Sequence, residues 1–174
     1  PNWFIENQDG GVNPHDEIDD PFKSAEVLQA HVDEGLKFAR KNRLPKPIAN
    51  FIPEHQGTLK MGYFLNKAEE KKLNFNDSDF RYKGPIPQSK ETAILMLADG
   101  CEAALRAMDI NASDYEALET ISKICNSRII DGQLNDSNLS KGEIFLIKKS
   151  FLNVWKRIRH RRIQYPTTKN NTFS

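Results

Sequence analysis

The residues of this chain whose type and setting suit chemistry are two histidines and one carboxylate. Its four histidines are His15, His31, His55 and His160. His55 lies in the run Phe51-Ile52-Pro53-Glu54-His55-Gln56-Gly57-Thr58, at the end of a short helical segment and just ahead of a glycine. A helix end leaves backbone groups unpaired, and an imidazole placed there can face a cleft. His31 interrupts the apolar stripe of an otherwise ordinary core helix, which suits either a packed, hydrogen-bonded histidine or a metal ligand. Asp99 follows Ile94-Leu95-Met96-Leu97-Ala98, in the helix expected to be most buried. A carboxylate buried there needs a cation, a metal or strong hydrogen bonds. A salt bridge to Arg106 or Arg128 serves that need as well as a metal does. Imidazole and carboxylate together favour zinc, iron or manganese over magnesium or calcium.

The elements that must position these residues read as helices. Residues 1–23, with Gly10-Gly11, Asn13-Pro14 and Asp20-Pro21, form a loop in this reading. Ser24 is the expected N-cap of a first helix, apolar at Val27, Leu28, Val32, Leu36 and Ala39. The basic run Arg40-Lys41-Asn42-Arg43 suits its C-terminus, and Pro45 ends it. Further helices are predicted over 47–56, 58–73, 91–108, 113–131 and 140–162. Ser89 and Thr92 are positioned to cap the fourth of these six, which is nearly apolar all round and expected to be central. Residues 74–90, rich in aromatics, read as an ordered loop. No stretch alternates with a strand period. The expectation is an all-α fold in a single domain, with a helical core over 24–165 and a disordered tail over 166–174.

Composition narrows the function classes. Lys plus Arg is 25 and Asp plus Glu is 24, so net charge does not point to a polyanion partner. The two cysteines, Cys101 and Cys125, lie in apolar helical surroundings and read as buried thiols, not a disulfide framework. The longest strictly apolar run, residues 93–98, falls far short of the ~20 residues of a membrane span. The chain opens Pro1-Asn2-Trp3-Phe4-Ile5, without an initiator Met and with apolar residues that need cover, and it reads as a piece of a longer one. Lys156, Arg157, Arg159, Arg161 and Arg162 crowd the end. They suit a solvated helix C-terminus or, as a rival reading, a nucleic-acid contact.

Several spaced blocks together resemble one family. They are Trp3-Phe4-Ile5-Glu6-Asn7-Gln8, Asn13-Pro14-His15-Asp16, His31-Val32-x-x-Gly35, Pro53-Glu54-His55-Gln56-Gly57-Thr58, Asp79-Phe80-Arg81-Tyr82-x-Gly84-Pro85-x-Pro87-Gln88-Ser89-x-Glu91-Thr92, Leu97-Ala98-Asp99-x-x-Glu102-Ala103-Ala104 and Asp131-Gly132-Gln133-Leu134. The chain resembles the cytoplasmic HD hydrolase domain of the seven-transmembrane HD receptors, whose characterised members are cyclic di-AMP phosphodiesterases. The resemblance implies an HD-type helical bundle lacking the early helices that bear the name-giving His-Asp pair. His15-Asp16 falls in the family's Asn-Pro-His-Asp loop and does not replace that pair.

By the same resemblance, His31, His55 and Asp99 match ligands of a two-metal centre holding iron or manganese. Gln56 stands where many members have a second histidine, and a neutral amide is a poorer ligand. The implied reaction is hydrolysis of cyclic di-AMP to the linear dinucleotide by a metal-activated water. Arg81 and Lys83 are candidates to steady the second phosphate, Tyr82 to stack on a base, and Asn7, with Gln8 beside it, to contact substrate. The bland alternative for Phe80-Arg81-Tyr82 is a loop pinned by packed aromatics. The implied partners are cyclic di-AMP and the rest of the chain's own polypeptide, including a membrane anchor, with a homo-oligomer also allowed. The residues as given are expected to be inactive or nearly so by themselves. A rival reading from another class is a cyclic-dinucleotide-binding module with degenerate metal chemistry.

Overall fold

The computed structural model describes residues 18–162, with side chains as far as 159. The first helix, α1 (Pro21–Lys41), begins three residues ahead of the expected Ser24 cap. Asp20 is the N-cap, its Oδ1 accepting from the backbone N–H groups of Phe22 at 3.0 Å and Lys23 at 3.3 Å. Pro21 follows at the first helical position, where its missing N–H costs nothing. Ser24 is instead buried inside the helix. Asp-Pro signals a turn and a helix start alike, and here the helix start wins.

Asn42 closes α1, Arg43 adopts a left-handed φ of 54°, and two single turns follow, α2 (Lys46–Ala49) and α3 (Phe51–Glu54). His55 is the C-cap of α3. The next helix, α4 (Gly62–Glu70), is shorter than the predicted 58–73. Residues ahead of it run extended and pair with the later loop: Met61 N–H donates to Phe80 O at 2.8 Å and Tyr82 N–H to Leu59 O at 3.0 Å. Lys60 and Arg81 form an isolated antiparallel bridge. A 3-10 turn over Asp77–Phe80 carries Phe80 into the core.

Three helices complete the chain: α5 (Lys90–Arg106), α6 (Asp114–Ile130) and α7 (Lys141–Arg162). The capping box predicted for Ser89 and Thr92 is present, and Ser113 with Glu116 repeats the arrangement on α6. Among the described residues the fold is all-α, as expected, and no helix is long and apolar enough to cross a membrane.

The core has two parts. Met96, Leu97, Cys101, Ile121, Cys125 and Ile144 fill the space between α5, α6 and α7. Both cysteines are free and buried, as their surroundings implied. Ala25, Met61, Phe64, Ala68 and Phe80 fill the space between α1, α4 and the 3-10 turn. Tyr82 packs against both, so the loop after Phe80 is the seam joining the two halves. The helix expected to be apolar all round, α5, buries one face only: Ile94 and Leu95 are 38% and 39% exposed, and Asp99 is exposed as well. The case for Asp99 as a buried carboxylate in need of a partner therefore does not hold.

Candidate functional site

His31 and His55 meet. Their rings lie edge to face, with centroids 5.7 Å apart and planes at 66°. Gly35, one turn after His31, permits this approach of α1 to α3: a Cβ there would sit 2.8 Å from Ile52 Cγ2. Each imidazole has its tautomer set by backbone. His31 Nδ1–H donates to Leu28 O, and His55 Nδ1–H donates to Ile52 O at 2.7 Å and Phe51 O at 3.1 Å. A carbonyl only accepts, so in each ring Nε2 is the nitrogen that carries the lone pair. Burial pushes the His31 imidazole below its usual pKa and His55 adds to this, while the Leu28 carbonyl and the charge of Asp99 oppose it. Imidazoles oriented through a hydrogen bond at one ring nitrogen have the form metal-binding histidines take.

Gln56 donates its side-chain N–H to His55 Nε2 at 3.1 Å. Its amide therefore sits on the nitrogen a metal would use. Asp99 is close enough to act electrostatically on both His31 and Arg128. Neither salt bridge suggested for it is made: Arg106 pairs with Glu102 one turn on, and the buried Nε of Arg128 has no hydrogen-bond partner among the described residues. The Arg128 guanidinium lies over Gly100, whose added Cβ would be 3.2 Å from Nη2. Among the described residues no group of three His, Cys, Asp or Glu side chains is gathered as a metal cage. The donor chemistry of the histidine pair fits a divalent transition ion, and the described residues by themselves give it two imidazoles.

What aims His55 is a network the sequence did not point to. Gly57 adopts a φ of 53°, and an added Cβ would be 2.5 Å from Gln133 Oε1 and 2.7 Å from Met96 Cε. Gln133 is fully buried. Its Oε1 accepts from Thr58 N–H at 3.0 Å, and its Nε2 donates to Thr58 Oγ1 at 2.8 Å and Asp131 Oδ2 at 2.9 Å. On the other side of His55, the buried Glu54 accepts from Gln88 N–H at 2.9 Å and from the Thr92 hydroxyl at 2.7 Å. Both residues lie in the blocks that carry the resemblance. A buried polar side chain beside a glycine turn was the available signal.

The remaining candidates differ in what they touch. Arg81 is committed to protein groups: Nε donates to Asp77 at 2.6 Å, Nη1 to Thr58 O at 2.7 Å, and both terminal nitrogens to Asp131. Its guanidinium holds the Asp77 carboxyl below the usual range, with Lys60 helping. A phosphate contact by Arg81 would have to displace these carboxylates. Tyr82 is half-buried with its ring edge-on to His31, centroids 5.9 Å apart, so it lines the histidine pair. Lys83 is exposed. Asn7, Gln8 and the His15-Asp16 pair lie outside the described residues. In the basic end, Arg159 stacks on Trp155 and donates to Ala112 O and Ile110 O, and Lys156 pairs with Asp114. Those two cations serve the fold.

No protein-family model matches the chain. It is 46% identical over 171 residues to an uncharacterised protein of Synechocystis sp., covering 95% of this chain and 21% of that one. It is 35% identical over 170 residues to the cyclic-di-AMP phosphodiesterase PgpH of Listeria monocytogenes, covering 98% and 23%. The chain thus spans about a fifth of the length of the curated relatives it matches. Among solved structures it is similar to the HD domain of L. monocytogenes PgpH in complex with cyclic-di-AMP. The TM-score is 0.85 at 34% identity, covering 91% of this chain and 73% of that one. With the histidine pair, its supporting network and this likeness all falling in one helical frame, the chain belongs to the family of the PgpH HD domain.

Proposed function

We propose that this chain is part of a metal-dependent phosphodiesterase that hydrolyses cyclic di-AMP to the linear dinucleotide. The observation that carries the reading is the His31–His55 pair, each ring fixed through Nδ1 by a backbone carbonyl. It is supported by the relationship to a domain solved with cyclic-di-AMP. His31 and His55 would hold iron or manganese through Nε2, with Asp99 on the facing helix as a carboxylate donor. Such an ion, when bound, supplies an acidified water and braces phosphate oxygens.

The chain's own residues do the rest. Burial favours the neutral form of His31, the form that can donate a lone pair. Glu54, Gly57 and Gln133 fix the turn that aims His55. Tyr82 offers an aromatic edge beside the pair for a base, and the exposed Lys83 offers a cation for the second phosphate. Arg81 acts by bracing Thr58 and Asp131. Placement of this domain on the cytoplasmic side of a membrane anchor belongs to the same proposal, and fractionation of the longer polypeptide tests it.

The decisive experiment compares residues 1–174 with a longer polypeptide of the same protein. Both are assayed for bound manganese or iron by elemental analysis and for linear dinucleotide by chromatography. The longer protein is expected to bind metal and turn over, and the shorter one to be nearly inactive. A longer protein without bound metal and without turnover removes the enzyme assignment. One observation favours a second reading, a cyclic-dinucleotide sensor with degenerate metal chemistry: the Gln56 amide rests on His55 Nε2. That reading expects cyclic di-AMP binding without hydrolysis.

A further inference from the structure

The corner between α1 and α3 combines exposed cations with exposed apolar side chains. Between residues 35 and 53 the sequence carries five cations, Lys37, Arg40, Lys41, Arg43 and Lys46, and no Asp or Glu. All five are exposed, and none forms an ion pair with a carboxylate among the described residues. Among them stand three large apolar side chains turned to solvent: Phe38 is 68% exposed, Leu44 42% and Ile48 53%. Complementing the helix dipole accounts for Arg40 and Lys41 in the last turn of α1. It does not account for Arg43 and Lys46, which lie past the helix end, or for the apolar residues.

The corner is exposed, and its backbone is tied down. Residues 40–48 are exposed without interruption. Asn42 caps α1 twice, its backbone N–H and its side-chain Nδ2 both donating to Phe38 O, at 3.0 and 2.9 Å. Pro45 and Pro47 restrict the exit. Exposed apolar side chains interspersed in sequence with unpaired cations match the boundary between lipid headgroups and acyl chains. The apolar side chains insert shallowly and the cations meet anionic headgroups. A single-stranded nucleic acid would need a row of aromatic platforms, and between residues 35 and 53 Phe38 is the one exposed aromatic.

We infer that this corner docks the domain on an anionic membrane surface, through phosphate-bearing lipid headgroups and shallow insertion of Phe38, Leu44 and Ile48. The test is sedimentation of residues 1–174 with phosphatidylcholine vesicles, with and without phosphatidylglycerol. Binding is expected only with phosphatidylglycerol and is expected to weaken as salt rises. Each cation near an anionic surface is worth about fivefold in affinity, so Lys41→Glu with Arg43→Glu lowers binding by roughly 25-fold or more. Phe38→Ser lowers it by about tenfold. A charge-matched control on α7, Lys149→Glu with Arg157→Glu, is expected to leave binding within about the fivefold of a single cation. All four positions are exposed, and unchanged circular dichroism melting establishes that the variants fold. The proposal is overturned by absence of binding, by binding indifferent to phosphatidylglycerol, by corner variants that match wild type, or by an RNA duplex bound more tightly than the vesicles.

Discussion

Replacing Gly57 by alanine tests whether the turn that aims His55 is set by backbone conformation and close packing. The residue sits at a φ of 53°, where an L side chain pays about 1–2 kcal/mol. Its new Cβ would also lie 2.5 Å from Gln133 Oε1 and 2.7 Å from Met96 Cε, so those groups must move. Overpacking of a filled site costs about 1–3 kcal/mol. The two effects sum to roughly 2–5 kcal/mol, which at about 2–4 °C per kcal/mol lowers the melting temperature by roughly 4–20 °C. Asparagine tolerates the left-handed region but carries the same Cβ. Gly57→Asn therefore relieves the backbone part but adds three more heavy atoms to the filled site, and is expected to lose at least as much as Gly57→Ala. Gly142→Ala is the control, since nothing lies within 4 Å of its added Cβ. Urea unfolding followed by circular dichroism measures all three. A Gly57→Ala loss under about 0.5 kcal/mol, the range of ordinary surface substitutions, would refute the argument.

Three further outcomes are expected. Glu54→Ala strands the Gln88 N–H and Thr92 hydroxyl donors and lowers stability by about 2–4 kcal/mol in urea unfolding, whereas Glu54→Gln, which keeps an acceptor, loses about half of that. In the metal-free chain, burial holds the His31 imidazole below its ordinary 6.5, so the unfolded chain binds the proton more readily. Stability is then full above about pH 6.5 and is lost as pH falls from there through the lower folded value; unfolding at several pH values shows His31→Asn with a flatter acid limb. Calorimetry with manganese on the longer polypeptide is expected to show tighter binding for Gln56→His by roughly tenfold, because the change lifts the amide from His55 Nε2 and adds an imidazole. Equal affinities would show that Gln56 does not obstruct the site.

Helices announce themselves locally, and most of these did. The Ser89–Thr92 box and the apolar spacing of α6 and α7 put boundaries within a residue or two of the observed ones. Errors arose where local signals compete or where a distant partner decides. Asp20-Pro21 reads equally as a turn. Residues 58–61 have helical spacing but are drawn straight by pairing with the Phe80–Tyr82 segment. Asp99 follows an apolar run, yet α5 is covered on one face only, and which face is covered depends on where α6 and α7 fall. At the site, the meeting of His31 with His55 is a tertiary fact that spacing does not contain. The resemblance placed these two together with Asp99, and the rings of the two histidines do meet. Arg81 illustrates the reverse case: a cation in an aromatic loop suits a phosphate, but Asp77 and Asp131 arrive first.

The hydrogen bonds between Gln133 and Thr58 join residues 75 apart in the chain. During synthesis, the turn bearing His55 must wait for that amide. At about 5–20 residues per second the wait is roughly 4–15 s after Thr58 is made. Through that interval α1 and its neighbours have time to form, while Thr58 N–H still faces water and the imidazole of His55 is not yet aimed. The turn that carries His55 is thus completed only after residue 133 has been made.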